Sequence, residues 1–362
     1  MNRETTYNFS AGPSMLPVPV LEKASAELCN YRESGMSVME MSHRSSVFNE
    51  IFTSTKAKLK EALSVPDTHE ILFLQGGAST QFSAVPLNLS QEGQTVDYAV
   101  TGNFSKIAAK EAGRYCKVNL ACDSSDDNFS YVPAQDALKL TTDAAYFYYC
   151  SNNTIFGTAW SYVPETGSVP IVCDMSSEIL SHPVDVSRYG LLFAGAQKNM
   201  APAGLTVVIV DKSLCGHERP YTPMMLGYKL MVEKDSMYNT PPCWNIYILG
   251  LVLDWLKEQG GVQGMEAIKH EKAAILYDFL DNSKIFHAAA RADSRSDMNV
   301  TFRTASAELD AEFVREATSR GLLNLKGHRL VGGMRASIYN AMPAEGVTAL
   351  VNLMKEFEVQ HV

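Results

Sequence analysis

The sequence contains no long hydrophobic run. Its longest aliphatic stretches, such as residues 205–210, are far too short to span a bilayer. Residues 1–8 lack the apolar core of a signal peptide. We therefore expect a soluble cytoplasmic protein that has no membrane partner.

Closely paired cysteines are also absent. Cysteine occurs seven times, an odd number, and never as C-x-x-C. Disulfide frameworks use an even number of cysteines, and zinc sites use closely spaced pairs. The pattern favours reduced thiols inside a cytosolic protein over disulfide bonds or a metal site. The cysteines are Cys29, Cys116, Cys122, Cys150, Cys173, Cys215 and Cys243.

Positive charge is in the minority. There are 31 lysine and arginine residues against 40 aspartate and glutamate residues, for a formal net charge of −9. An acidic surface argues against nucleic acid and anionic membranes as partners. A few arginines and histidines can still form a local positive pocket for a small anionic substrate. The absence of a G-x-G-x-x-G or Walker motif disfavours a nucleotide-binding α/β protein.

The chain does contain a regular alternation of strands and helices. Its 362 residues are 46% hydrophobic and 20% charged, as in globular proteins long enough for more than one domain. The predicted strands are residues 71–75, 96–100, 117–121, 145–150, 170–175, 191–196 and 205–210, with helices between them at 48–63, 80–87 and 104–112. Apolar strands alternating with helices predict an α/β fold with a mostly parallel sheet. The last two strands are too close in the chain for a parallel crossover, so we expect them to pair antiparallel.

The pattern changes after Trp244. The predicted elements there are helices at residues 244–258, 265–280, 307–319 and 345–357 and strands at residues 298–303 and 334–339. This mixture predicts a smaller α+β domain at the carboxyl end.

Asp174 and Lys198 each stand at the end of an apolar run, the first at 170–173 and the second at 191–197. If both strands are parallel, the two side chains lie at the same carboxyl edge, where open α/β sheets bind ligands. A lysine there can form an imine with a carbonyl cofactor, and a carboxylate can hold a pyridine nitrogen protonated. Taken singly, a helix-capping aspartate and a solvated lysine would be the better interpretation. Their shared location favours a cofactor site.

The segment Gly76–Thr80 follows a predicted strand and opens a helical stretch. Glycines let backbone N–H groups approach an anion, and the start of a helix adds partial positive charge. Ser79 could also cap that helix. A Gly-Gly pair after a strand is more often a simple turn, so this signal is weak by itself.

Further segments are candidates for binding an anionic substrate. They are Ser42-His43-Arg44, Lys326-Gly327-His328-Arg329, Gly332-Gly333-Met334-Arg335 and Tyr238-Asn239-Thr240-Pro241-Pro242. Guanidinium groups match the geometry of carboxylates and phosphates. Two prolines stiffen the last segment and would hold its Asn and Thr side chains in place. Taken singly, each arginine is more often a surface ion-pair partner, and the proline segment is more often a linker.

Together these segments resemble the phosphoserine aminotransferase family, within the class V pyridoxal-phosphate-dependent aminotransferases. The matching segments run from one end of the chain to the other and are residues 8–13, 42–44, 75–82, 195–199, 238–242 and 326–340. Gly-His-Arg followed by Gly-Gly-Met-Arg-Ala-Ser is specific to this family. The resemblance implies fold type I, with a large cofactor domain at residues 16–262 around a mostly parallel seven-stranded sheet. Residues 1–15 and 263–362 would form the small domain.

The resemblance also implies residue roles. Lys198 would hold pyridoxal 5'-phosphate as a Schiff base, Asp174 would pair with its pyridine nitrogen, and Arg335 would hold the substrate α-carboxylate. The other cofactor contacts would be Ala78, Ser79, Phe104, Thr154 and Gln197, with Asn239 and Thr240 reaching the cofactor phosphate from the other subunit of a homodimer. The distal phosphate or carboxylate of the substrate would be held by His43, Arg44, His328 and Arg329. Phe104 stands where many relatives have Trp, and Ser79 where others have Arg.

The implied reaction transfers the amino group of L-glutamate to 3-phosphohydroxypyruvate, giving O-phospho-L-serine and 2-oxoglutarate in serine biosynthesis. Lys198 would act as general base and acid. A second role with 4-phosphooxy-L-threonine in pyridoxine biosynthesis stays open.

Alternatives are an alanine–glyoxylate aminotransferase, a cysteine desulfurase, and a non-catalytic binding protein of the same fold. No cysteine lies in an evident Gly/Ser-rich loop, which disfavours the desulfurase. The joint presence of Lys198, Asp174 and Arg335 disfavours the non-catalytic protein.

Overall fold

The computed structural model describes residues 2–361. Its helices are α1 (Val18–Ala26), α2 (Ser46–Ala62), α3 (Gly77–Leu89), α4 (Asn103–Ala112), α5 (Tyr228–Glu233), α6 (Cys243–Glu258), α7 (Gly261–Asn282), α8 (Ala307–Ser319) and α9 (Ala344–His361). Its strands are β1 (Tyr7–Asn8), β2 (His69–Leu74), β3 (Thr95–Val100), β4 (Lys117–Asp123), β5 (Phe147–Cys150), β6 (Asn152–Asn153), β7 (Thr158–Ala159), β8 (Ile171–Asp174), β9 (Leu191–Gly195), β10 (Thr206–Asp211), β11 (His287–Ala288), β12 (Asn299–Arg303), β13 (Leu322–Leu323) and β14 (Met334–Ser337). None of the helices in the described range is long and apolar enough to cross a membrane.

The central sheet, as described within residues 2–361, has seven strands in the order β2-β10-β9-β8-β5-β3-β4. Strand β10 runs antiparallel to its neighbours β2 and β9, and the other neighbouring pairs are parallel. The predicted α/β fold and the predicted antiparallel pair are therefore confirmed. The observed ends of these strands differ from the predicted ends by at most about two residues.

Alternate residues of the central strands enter two different apolar cores. In β9, Leu192 and Ala194 belong to one core, and Leu191 and Phe193 belong to the other. Because side chains alternate across a strand, this pattern means that both faces of the sheet are covered. Helices α2 and α6 pack in the first core, and α3 and α4 pack in the second.

The carboxyl-terminal part has its own antiparallel sheet, β11-β12-β14, and its own core with helices α7, α8 and α9. The start of the chain joins this part. Strand β1 pairs with β13, and Phe9 is fully buried in the carboxyl-terminal core. The sequence pattern did not indicate β1 or β13, since two-residue strands carry no periodicity.

Helix α3 begins at the carboxyl end of β2, and its position depends on glycine. Gly76 and Gly77 both have positive φ angles, +93° and +67°. A Cβ atom on Gly76 would lie 1.9 Å from Thr80 Oγ1, so no larger residue fits there. This tight turn places the amino terminus of α3 at the same sheet edge at which β8 and β9 end.

Candidate active site

Lys198 lies just beyond the end of β9, and its side chain reaches polar and aromatic neighbours. The amine Nζ donates a hydrogen bond to Thr154 Oγ1 at 2.6 Å. It also lies 5.2 Å from the centroid of the Phe104 ring. Burial lowers the pKa of the Lys198 amine, although the nearby Asp174 carboxylate opposes that shift. A lowered pKa leaves more of the amine unprotonated and hence nucleophilic.

Asp174 is the last residue of β8 and is only 4% exposed. Strands β8 and β9 are parallel, with Asp174 paired to Phe193, so Asp174 and Lys198 lie at the same edge of the sheet. The carboxylate accepts a hydrogen bond from Ser176 N at 2.9 Å. Burial raises the pKa of Asp174, while the Lys198 charge and the Ser176 hydrogen bonds oppose the rise. A buried acid of this kind can share a proton with a ring nitrogen.

Arg335, on β14, reaches the same threonine as Lys198. Its Nη1 donates to the backbone oxygen of Thr154 at 3.3 Å. Its Nε is buried and has no hydrogen-bond partner among the described residues. Burial lowers the pKa of the Arg335 guanidinium. A partly buried guanidinium with an unused donor fits a ligand carboxylate, which would supply the missing acceptor.

His328 and Arg329 lie in the loop that leads into β14. Gly327 N donates to Gly333 O at 2.8 Å and closes this loop. Burial lowers the pKa of His328, and the charges of Arg335 and Arg329 lower it further. His328 is therefore near Arg335, whereas Arg329 is exposed to solvent.

The amino terminus of α3 offers a cradle for an anion. Ala78 is partly buried and Ser79 is exposed in the first turn. Within residues 2–361, no side chain caps this helix. Apart from the chain neighbours and the backbone of the helix itself, no atom lies within 4 Å of a Cβ placed on Gly77. The free N–H groups and the open space in front of Gly77 suit a phosphate group.

Residues 12–14, which precede α1, contact Gln197 and Lys198. Ser14 N donates to the backbone oxygen of Gln197 at 3.0 Å, and Ser14 Oγ donates to that of Lys198. Gly12 approaches so closely that a Cβ atom there would lie 3.2 Å from Lys198 Cγ. The partly buried Gln197 side chain folds back toward Gly195.

The remaining sequence-predicted residues make no hydrogen bond to Lys198, Asp174 or Arg335 within residues 2–361. His43 and Arg44 precede α2, and Arg44 is exposed. Across the described part of the chain, neither of their side chains makes a hydrogen bond or an ion pair. Asn239 Nδ2 donates to Gln75 Oε1 at 3.3 Å, and Gln75 Nε2 donates to Thr240 O at 2.9 Å. Substrate binding by His43 and Arg44 stays a prediction, as does a role of Asn239 and Thr240 in the site of a second subunit.

Three residues near Asp174 were missed by the sequence reasoning. Ser176 Oγ accepts from Gly195 N at 2.9 Å and so ties the ends of β8 and β9. Asn152 Nδ2 donates to side chains of two other segments, both at 2.8 Å. The Tyr148 hydroxyl is buried, and burial with the Asp174 charge raises its pKa. Only Ser176 carried a signal, its spacing from Asp174. The partners of Asn152 are remote in the chain, and the Tyr148 hydroxyl has no hydrogen-bond partner among the described residues.

These residues fit pyridoxal 5'-phosphate. The amine of Lys198, the buried Asp174 carboxylate and the Phe104 ring surround one position at the sheet edge. The open cradle at Gly77 follows strand β2, which ends at the same edge of the sheet. An amine, an acid, an aromatic face and an anion site are the groups that this cofactor requires.

Comparisons with known proteins agree with this geometry. The family model described as aminotransferase class-V matches residues 6–350. The chain is 51% identical to the phosphoserine aminotransferase of Bacillus thuringiensis subsp. konkukian over 358 residues, 99% of each chain. It is 52% identical to that of Laribacter hongkongensis, again over 358 residues and 99% of each chain.

Solved structures give the same result. The phosphoserine aminotransferase of Bacillus circulans subsp. alkalophilus superposes with a TM-score of 0.97 at 45% identity, covering 99% of this chain and 100% of that one. The enzyme of Trichomonas vaginalis with bound pyridoxal phosphate superposes with a TM-score of 0.93 at 42% identity, covering 97% and 99%.

Proposed function

Because the chain belongs to the class-V aminotransferase family, we propose that it transfers the amino group of L-glutamate to 3-phosphohydroxypyruvate. The products are O-phospho-L-serine and 2-oxoglutarate, a step of serine biosynthesis. The observation that carries the proposal is that Lys198 and Arg335 are both hydrogen-bonded to Thr154. A reactive amine and a carboxylate-binding group thus flank one position. The choice of substrate is supported by the names of the relatives at about half identity.

The cofactor is pyridoxal 5'-phosphate, which, when bound, supplies an electron-withdrawing ring next to the substrate Cα. Lys198 Nζ would attach it, and the Asp174 carboxylate would hold its pyridine nitrogen. Phe104 would lie against the ring, and Thr154 would contact its hydroxyl side. The 5.2 Å separation of Lys198 Nζ from the Phe104 ring supports this arrangement.

The cofactor phosphate would be held at the amino terminus of α3, by the backbone N–H groups of Ala78 and Ser79 and the side chain of Gln197. The uncapped helix start and the open space at Gly77 support this assignment. Asn239 and Thr240 of a second subunit would complete the phosphate site.

Lys198 would also move the substrate proton. Its Nζ would take the proton from the substrate Cα and later return one, acting as base and then as acid. Burial lowers the pKa of this amine, which raises the fraction that is unprotonated and able to act as a base. The hydrogen bond to Thr154 Oγ1 holds the amine at the sheet edge.

The substrate would be held at both ends. Arg335 would bind the α-carboxylate, and its buried, unpartnered Nε supports this role. His43, Arg44, His328 and Arg329 would bind the distal phosphate or γ-carboxylate. Burial and two neighbouring guanidinium groups lower the pKa of His328, and an anionic substrate group beside it would favour its protonated form.

A homodimer with shared active sites is part of this proposal. Two large side chains next to Asn239 and Thr240 are exposed, Tyr238 at 39% and Met224 at 59%. Tyr238 OH contacts Met224 Sδ at 3.5 Å, so these residues form one patch. An exposed apolar patch is typical of a protein–protein interface.

The division into a large domain (16–262) and a small domain (1–15 and 263–362) is likewise proposed. It is supported by the separate carboxyl-terminal core, which Phe9 joins. A cytoplasmic location and a second role with 4-phosphooxy-L-threonine stay predictions from the sequence.

The test is a panel of amino acceptors given to the enzyme after loading with glutamate: 3-phosphohydroxypyruvate, oxaloacetate, pyruvate and glyoxylate. We expect the phosphorylated acceptor to react with the highest kcat/KM. Faster reaction with glyoxylate or pyruvate would instead identify another class-V aminotransferase. Purified protein without visible cofactor absorption after incubation with pyridoxal 5'-phosphate would support a non-catalytic protein.

A further inference from the structure

Lys272 is a fully buried lysine that the proposed reaction does not use. It lies on α7 and is 1% exposed. Its Nζ donates to two backbone oxygens, Tyr339 O at 2.7 Å and Met342 O at 2.9 Å. Within residues 2–361, it forms no ion pair with a carboxylate. Burying an amine costs free energy unless its hydrogen bonds are made, and these two carbonyl groups are the partners that Lys272 uses.

The two carbonyl groups belong to one turn. Met342 N donates to Tyr339 O at 3.0 Å and closes a turn over residues 339–342. This turn follows β14, the strand that carries Arg335, and precedes α9. Lys272 therefore bridges both ends of the turn and joins it to α7.

The same turn reaches the residue next to Lys198. Asn340 N donates to Asn199 Oδ1 at 3.0 Å. Asn199 Nδ2 in turn donates to Ile179 O at 2.6 Å, and Asn340 Nδ2 donates to Leu180 O at 2.8 Å. The turn is thus fastened to the segment after β8 and to the segment that carries Lys198.

A second connection leaves the turn through a side chain. Tyr339 OH donates to Ala11 O at 2.8 Å. Ala11 precedes Gly12, the residue that packs against the Lys198 side chain. Both connections from the Lys272-bridged turn therefore end at Lys198.

We propose that Lys272 is a positioning residue that sets the orientation of Lys198 relative to Arg335. Lys272 holds the 339–342 turn, Asn340 of that turn holds Asn199, and Asn199 holds the segment of Lys198. Arg335 lies on the strand that runs into the turn, so one support places both groups. This inference rests on the proposed function, but Lys272 itself touches neither cofactor nor substrate.

The protonation of Lys272 is compatible with this role. Burial lowers the pKa of its amine to about 7. An uncharged amine has two N–H donors, and the turn offers two carbonyl acceptors. Both bonds can therefore be made by the charged and the uncharged form.

The test uses the cofactor-loaded enzyme with Lys272→Met, and Lys269→Met as the matched control. Lys269 lies one turn earlier on α7, is also mostly buried, and has its amine 3.7 Å from Asp297. In Lys272→Met, we expect faster amide hydrogen exchange in residues 339–342 and 196–201. We also expect a shift of at least about 0.5 pH unit in the midpoint of the visible cofactor absorption. Lys269→Met should change neither measurement.

Kinetics supply a second readout. We expect kcat of Lys272→Met to fall roughly 10- to 100-fold, as when reacting groups are misplaced by up to an ångström, with KM nearly unchanged. In the double variant with Asn340→Ala, the loss of kcat should be smaller than the product of the two single losses, by at least about twofold. Both variants break the same chain of contacts, so their effects overlap. The same cycle with Lys269→Met should be multiplicative.

Unchanged exchange and an unchanged midpoint in Lys272→Met would overturn the proposal, as would a multiplicative cycle with Asn340→Ala. If Lys272→Met does not fold, the variant Asn340→Ala is used alone to test the proposal. It must shift the midpoint and speed exchange in residues 196–201, and unchanged values would refute the proposal. Neither amide exchange nor the absorption midpoint uses an amino acceptor, so a different preferred acceptor would revise the proposed function without affecting these two measurements.

Discussion

Lys198 and Arg335 are hydrogen-bonded to the same residue. The Lys198 amine donates to Thr154 Oγ1 at 2.6 Å, and the Arg335 guanidinium donates to Thr154 O at 3.3 Å. A substrate whose carboxylate is bound by Arg335, as proposed, would be brought to the amine of Lys198. Because orientation of this kind lowers the barrier to reaction, Thr154 would set a distance on which the proposed turnover depends.

Replacing Lys198 by alanine removes the amine that is proposed to attach the cofactor and to move the substrate proton. We expect Lys198→Ala to lose the visible absorption of lysine-bound cofactor, and kcat to fall by roughly 10²- to 10⁴-fold or more. Absorption spectra and steady-state rates measure both effects. The exposed Lys106 of α4 provides the control, since Lys106→Ala should keep spectrum and rate. An intact absorption band in Lys198→Ala would contradict the site assignment.

Replacing Asp174 by asparagine keeps the shape of the side chain but removes its charge. We expect kcat to fall by about 10²- to 10³-fold, since an amide cannot hold the pyridine nitrogen protonated. Burial raises the pKa of Asp174. At a pH above that pKa, the buried ionised carboxylate therefore lowers the free energy of unfolding. Thermal unfolding of the cofactor-free variant at pH 7 should therefore occur no earlier than in the wild type. Marked destabilisation would show that Asp174 is mainly structural; the exposed Asp136→Asn serves as control.

Replacing Arg335 by lysine keeps the charge but loses the planar guanidinium fork. Charged hydrogen bonds contribute about 1.5–3 kcal/mol, so KM for both substrates should rise roughly 10- to 100-fold. The cofactor spectrum should stay the same. Arg303 on the neighbouring strand β12 is exposed, and Arg303→Lys should leave KM unchanged. An equal rise in both variants would argue against carboxylate binding by Arg335.

The buried Lys272 predicts a pH-dependent stability. Burial lowers its pKa from 10.5 to about 7, so between these values the unfolded chain binds a proton that the folded chain does not. The free energy of unfolding contributed by this group therefore rises with pH, by up to about 1.4 kcal/mol per unit, and levels off below pH 7. Urea titrations of wild type and Lys272→Met from pH 7 to 10 measure the difference. A difference independent of pH would show that the folded pKa is not lowered.

Much of the fold was predictable because strands buried on both faces appear in the sequence as continuous runs of apolar residues. The runs at β8 and β9 placed Asp174 and Lys198 at one sheet edge, and the parallel pairing of these strands confirms that placement. The close relation to the class-V aminotransferases was visible in motifs that span the chain. Ser176 and Asn152 were not predicted, because their hydrogen bonds join separate segments.

By itself, the sequence determined the α/β alternation, the glycine turn before α3 and the pairing of an amine with an acid at one edge, since each depends on residues close together in the chain. Only the tertiary structure decided that Thr154 serves both Lys198 and Arg335, and that Lys272 holds the turn that supports them. Periodicity reports which face of an element is apolar. It does not report which remote segment packs there, because that depends on how all the elements fill the core together.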